Sequence, residues 1–114
     1  MGIFTKLLAA VSGAPPEALP ENAILIDVRS PQEFASGHIQ GAISLPLNFV
    51  VQNVDKLVPN KKTPVIVYCM SGARSASARK HLLGMGYLQV FNGGGVRALS
   101  SRMKREIRSV ADTD

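Results

Sequence analysis

The chain has no tryptophan, one cysteine, two histidines and no apolar run near the roughly 20 residues that span a bilayer. Each shortage excludes something. A single cysteine cannot close an internal disulfide, and without a Cys/His cluster beside it no metal site is expected. A free thiol fits a reducing compartment, which predicts a cytoplasmic protein with no stable membrane insertion. Residues 1–14 carry Lys6 and several small residues and partly resemble a signal peptide, so export after cleavage is the alternative. Because Lys6 interrupts the apolar run, the preferred reading is a short amphipathic helix bearing Ile3, Phe4, Leu7, Leu8 and Val11.

The 114 residues suit one domain, and 46% apolar content is ordinary for a globular core. The division expected is an extension over residues 1–13, a domain over 14–110 and a tail over 111–114. A net charge of +5 draws anions generally and points to no nucleic acid. Five cations, Arg97, Arg102, Lys104, Arg105 and Arg108, fall in the last eighteen residues. They are read first as a solvated helix face and second as a docking surface for an acidic protein partner.

From residue 23 onward, short apolar runs alternate with helical patterns. Residues 23–28 read as a strand, and Ser30, Pro31 and Glu33 supply an N-cap, a first-turn proline and a capping box for a helix over 31–36. Residues 42–45 read as a strand, Pro46 opens a helix with Leu47, Val50, Val51 and Val54 on one side, and 65–68 read as a strand. A helix follows around Ala76 to Leu83, then a strand over 88–91, a turn at Gly93 to Gly95, and a final helix over 96–110 with Leu99, Met103, Ile107 and Val110 buried. This rhythm predicts an α/β fold with a mainly parallel sheet of about five strands and helices on both faces, a three-layer arrangement.

Residues 65–75 hold the chemistry. The apolar strand ends on Cys69, and Met70, Ser71, Gly72, Ala73, Arg74 and Ser75 lead into the next helix. Small residues there expose consecutive N–H groups, the helix end adds partial positive charge, and Arg74 adds a full one. All three favour a thiolate, so Cys69 is expected to be a nucleophile and the loop its substrate cradle. Asp27 and Arg29 close a neighbouring strand and are expected to support the site from behind, or to fix their own turn as a buried pair. His38 follows the helix-ending Gly37 and is expected to be a local hydrogen-bonding element ahead of a general base, and His81 and Tyr87 carry no motif and are expected to be structural.

These residues resemble the rhodanese family of sulfurtransferases. Residues 25–29 with Glu33 and Phe34, residues 37–42 with 44–46, the loop 68–75, and the Gly93-Gly94 pair stand in the family's order. The resemblance implies a single-domain rhodanese-like fold. It implies sulfur transfer through a Cys69 persulfide, from thiosulfate or a persulfide donor to a thiol or cyanide, with no cofactor. Arg74 would attract the anionic donor and steady departing sulfite. Four residues stand between Cys69 and Arg74, whereas related phosphatases and arsenate reductases have five between cysteine and arginine, so the cradle suits sulfur better than phosphate. Met70 stands where many thiosulfate-using relatives have a cation, which turns the expected donor toward a protein persulfide or another sulfane-sulfur compound. A carrier or protein-binding module without turnover is the alternative.

Overall fold

The structure, a computed structural model, describes residues 18–112, so the expectations for residues 1–17 lie outside it. Strand β1 (Ile24–Asp27) runs into helix α1 (Pro31–Ser36). The capping box forms as the spacing requires: the Ser30 hydroxyl accepts the Glu33 N–H at 3.1 Å, and the Glu33 carboxylate accepts the Ser30 N–H at 3.0 Å. Two short strands follow, β2 (His38–Ile39) and β3 (Ile43–Ser44). A 3-10 turn (Leu47–Phe49) then leads into α2 (Val50–Leu57). Next come β4 (Val65–Cys69), α3 (Ala73–Gly84), β5 (Val90–Gly95), α4 (Val96–Met103) and β6 (Ile107–Arg108), with a last 3-10 turn at Val110–Asp112.

Among the described residues the central sheet is wholly parallel and has four strands, in the order β3-β1-β4-β5, where about five were expected. The remaining pair, β2 and β6, forms a separate antiparallel ribbon with Ile39 opposite Ile107. Helices cover both faces. Alternation along β4 sends Val65, Val67 and Cys69 toward Val50 and Val54 of α2 and Ala78 and Leu82 of α3. Ile66 and Tyr68 point the other way, toward Val96 and Leu99 of α4. All five β4 residues are buried. With about 1.5–3 kcal/mol from each fully buried Val or Ile, the strand fixes the position of Cys69 firmly.

Two expectations about the last third are corrected. The strand β5 does not stop at Phe91: it continues through the glycines, and its register slips so that Val67 faces Asn92 while Tyr68 faces Gly94. Gly93 is thus the extra residue of a bulge, where a Cβ would lie 2.6 Å from the Leu99 side chain. The final helix ends at Met103, not Val110. Lys104 takes a left-handed conformation at φ 56°, and the chain turns back to pair with β2, the Gln40 N–H donating to the Glu106 carbonyl at 2.9 Å. That backbone pairing outcompetes continuation of the helix and leaves Ile107 and Val110 exposed instead of buried. The basic residues are therefore spread over α4 (Arg97, Arg102), the turn after it (Lys104, Arg105) and β6 (Arg108, paired with Glu106 at 2.7 Å), and make no single helical face.

Candidate active site

The site forms where β4 ends and α3 begins, at the carboxyl edge of the parallel sheet. Cys69 is only 1% exposed. Its sulfur accepts the Gly72 N–H at 2.9 Å and lies 3.4 Å from the hydroxyl of Ser75, which is itself fully buried. Gly72 adopts φ 100°, a conformation side chains resist, and it is this turn that aims its N–H at the sulfur. Burial is the largest single influence on the thiol and pushes its pKa up. The Ser75 hydroxyl and the N–H groups of Ser75, Ser71 and Gly72 together outweigh it and bring the value down to about 7.

Arg74 is committed elsewhere. Its guanidinium grips the Glu33 carboxylate with both ends, at 2.7 and 3.0 Å, across 41 positions of sequence. Hydrogen bonding to Arg74 is the chief reason the Glu33 carboxyl falls to about 2, and the same bonds raise Arg74. The capping residue of α1 thus ties that helix to the first turn of α3. The full positive charge expected beside Cys69 is already half of an ion pair, and hydroxyl and amide groups do most of the work of lowering the thiol.

Asp27 and Arg29 pair with each other. Both Asp27 oxygens accept hydrogen bonds from Arg29, the shortest at 2.7 Å, and Arg29 donates further to the Gly37 carbonyl at 2.6 Å. Burial works against the Arg29 charge, and its contacts with Asp27 more than offset this. The pair, 0% and 3% exposed, braces the end of β1 against the end of α1. His38 is stacked on Phe34 at 3.8 Å with Nδ1 2.9 Å from the Phe34 carbonyl, a packing role. Beside the loop, Ser30, Pro31, Leu47, Phe49, Val51 and Arg74 help to line an open groove of about 680 Å³. Met70, half exposed, carries the only loop side chain of any size on the outside apart from Arg74.

Two residues escape the sequence reading. Asn92 bridges β5 to the loop, its Oδ1 accepting from the Ser75 hydroxyl at 2.7 Å and from the Gly94 N–H at 2.9 Å while its Nδ2 donates to the Gly72 carbonyl at 3.1 Å. No local pattern marks it. Gly95 passes so close under the loop that a Cβ would sit 2.6 Å from the Met70 carbonyl oxygen. The run of three glycines was the available signal, and close backbone approach was the meaning to draw from it.

With this geometry in view, the relatives can be compared. The profile of the rhodanese-like domain matches residues 16–100. The thiosulfate sulfurtransferase PspE of Escherichia coli is 41% identical over 75 residues, covering 66% of this chain and 72% of its own. A sulfurtransferase of Allochromatium vinosum is 38% identical over 79 residues, covering 68% and 72%. Among solved structures, a rhodanese with anions from E. coli superposes with a TM-score of 0.65 at 41% identity, covering 67% of this chain and 89% of that one. The match spans β1, the cysteine loop, the glycine run and most of α4, and on it this chain belongs to the rhodanese-like domain family.

Proposed function

We propose that the protein is a sulfurtransferase that carries a sulfane sulfur on Cys69. The observation that carries this reading is the buried sulfur held between the Gly72 N–H and the Ser75 hydroxyl, with a pKa near neutrality. In the first half-reaction the Cys69 thiolate attacks the outer sulfur of the donor. A new S–S bond forms, and the donor's bond to that sulfur breaks with its electron pair leaving on the departing group, sulfite if the donor is thiosulfate. The persulfide's terminal charge then rests among the N–H groups of residues 70–75. In the second half-reaction an acceptor thiolate takes the outer sulfur, and the Cys69 thiolate leaves. No electron carrier or metal enters either step.

The names of the relatives, a thiosulfate sulfurtransferase in Escherichia coli and a sulfurtransferase in Allochromatium vinosum, support the reaction class. The donor is a separate matter. Arg74, the one cation of residues 70–75, is already paired with Glu33, and Met70 offers an apolar thioether. A loop without an uncommitted cation favours a persulfide or another weakly charged sulfane donor over thiosulfate. The support given by Asp27, Arg29 and Arg74 is mechanical: they hold α1, β1 and the loop in one geometry.

Intact-mass measurement tests this. Incubated with thiosulfate or a small organic persulfide, the wild-type chain gains the mass of one sulfur and loses it on addition of a thiol or cyanide, with the Cys69→Ala chain as control. A wild-type chain that gains no sulfur from any donor sinks the reading. Because the thiolate is the nucleophile, the rate of sulfur uptake is expected to rise about tenfold per pH unit on the acid side and level off above about 7. A rate still climbing steadily to pH 9, the ordinary range for a thiol, would show that the cradle does not activate Cys69.

A further inference from the structure

Ser75 is fully buried, and its hydroxyl has one hydrogen to give. Two acceptors stand within reach of it, Asn92 Oδ1 at 2.7 Å and Cys69 Sγ at 3.4 Å. While Cys69 is a thiol, its own S–H can point at the Ser75 oxygen and the hydroxyl at Asn92, so every donor is used. Once Cys69 ionises, the sulfur has nothing to donate and competes for the same hydrogen. The Asn92 amide cannot turn to accommodate this, because its Nδ2 is held by the Gly72 carbonyl at 3.1 Å, and only the nitrogen end can donate there.

We propose that Asn92 is a positioning residue for the reactive cysteine: it holds the Ser75 hydroxyl away from Sγ in the thiol form and releases it to the thiolate. The proposal rests on the reading of Cys69 as the sulfur-carrying nucleophile. When the hydroxyl leaves, Asn92 Oδ1 keeps the Gly94 N–H at 2.9 Å and is not stranded. When the persulfide forms, the inner sulfur becomes neutral and the hydroxyl returns to Asn92. One hydrogen bond thus changes partner in each half-reaction, and the strength of the Asn92 bond sets how readily Cys69 ionises. Other charged groups near the site are internally balanced: Arg74 of α3 with Glu33 of α1, and Arg29 with Asp27 at the end of β1. Strand β5 brings no ionisable side chain, and Tyr68 of β4 is pushed above its usual range by burial.

Titration of the ultraviolet thiolate absorbance reads this directly, since Cys69 is the only cysteine. Asn92→Ala is expected to lower the midpoint by about half a unit to one unit, by freeing the hydroxyl for the sulfur. Asn92→Asp keeps the acceptor and adds charge, and is expected to raise the midpoint by about one unit. In a Ser75→Ala background the Asn92→Ala shift disappears. A merely structural Asn92 would move both variants the same way by loosening the loop. A raised midpoint in Asn92→Ala, or a shift that survives without Ser75, overturns the proposal. Should Asn92→Ala fail to fold, Asn92→Asp decides, its rise being smaller without Ser75 if the proposal holds and unchanged if it does not. No sulfur donor is used, so failure here and failure of the sulfurtransferase reading are told apart.

Discussion

Gly95→Ala is expected to lower kcat/KM for sulfur transfer by roughly 100-fold in a chain that still folds. Gly95 has φ −86° and ψ 151°, a conformation open to any residue, so its requirement is one of space. An added Cβ would stand 2.6 Å from the Met70 carbonyl oxygen and 3.4 Å from its carbon, both backbone atoms that cannot swing aside. The clash is relieved only by moving the loop off β5. The Gly72 N–H and the Ser75 hydroxyl would then lose their aim at Sγ, and displacements of about an ångström around a reacting atom are worth about that factor. Steady-state thiocyanate formation, with thermal unfolding as the check on folding, measures it. A folded Gly95→Ala chain with wild-type kcat/KM would show that the loop is not held in place by β5.

Asp27→Ala is expected to remove about 3–5 kcal/mol of folding stability, because it strands a buried guanidinium. Arg29 is 3% exposed and spends its bonds on Asp27 and the Gly37 carbonyl. With total stabilities of about 5–15 kcal/mol for domains of this kind, the loss is enough to unfold much of the population on mild warming. Replacing both partners by apolar residues, Asp27→Leu with Arg29→Met, is expected to cost less than the single change, since no charge is left unpaired. Urea unfolding should show the midpoint falling at constant slope. A loss below about 1 kcal/mol in Asp27→Ala would mean that water reaches Arg29 and the brace is superficial.

What could be read in the chain beforehand follows the range of the interactions concerned. The helix over Pro31–Ser36 was legible to the residue because its capping box is complete within four positions. Cys69 was legible because strand, loop and helix start are consecutive. The Arg74–Glu33 clamp was not, because nothing local says that a capping carboxylate will also serve a guanidinium 41 positions away. The end of the last helix departs from its sequence pattern for a similar reason. Leu99 and Met103 continue naturally to Ile107 at helical spacing, and only the open edge of β2, far back in the chain, explains why the backbone leaves the helix at Lys104. Asn92 lay inside a segment whose glycines suggested a turn. Its role became visible only with β5 beside the loop.

The strand order also sets when Cys69 acquires its surroundings during synthesis. A chain that emerges from the ribosome N-terminus first presents β1 long before β4, its central partner, and parallel neighbours cannot pair until the crossover between them is complete. Cys69 appears at the end of β4, ahead of the whole of α3 and β5. Gly72, Ser75, Asn92 and Gly95 join it in that order, and β6 closes on β2 after all of them, His38 having waited for Arg108 across seventy positions. Before Gly72 and Ser75 close around it, the sulfur lacks the N–H and hydroxyl contacts that lower its pKa. On the reading of Cys69 proposed above, the thiolate is thus favoured only once the loop after β4 has formed.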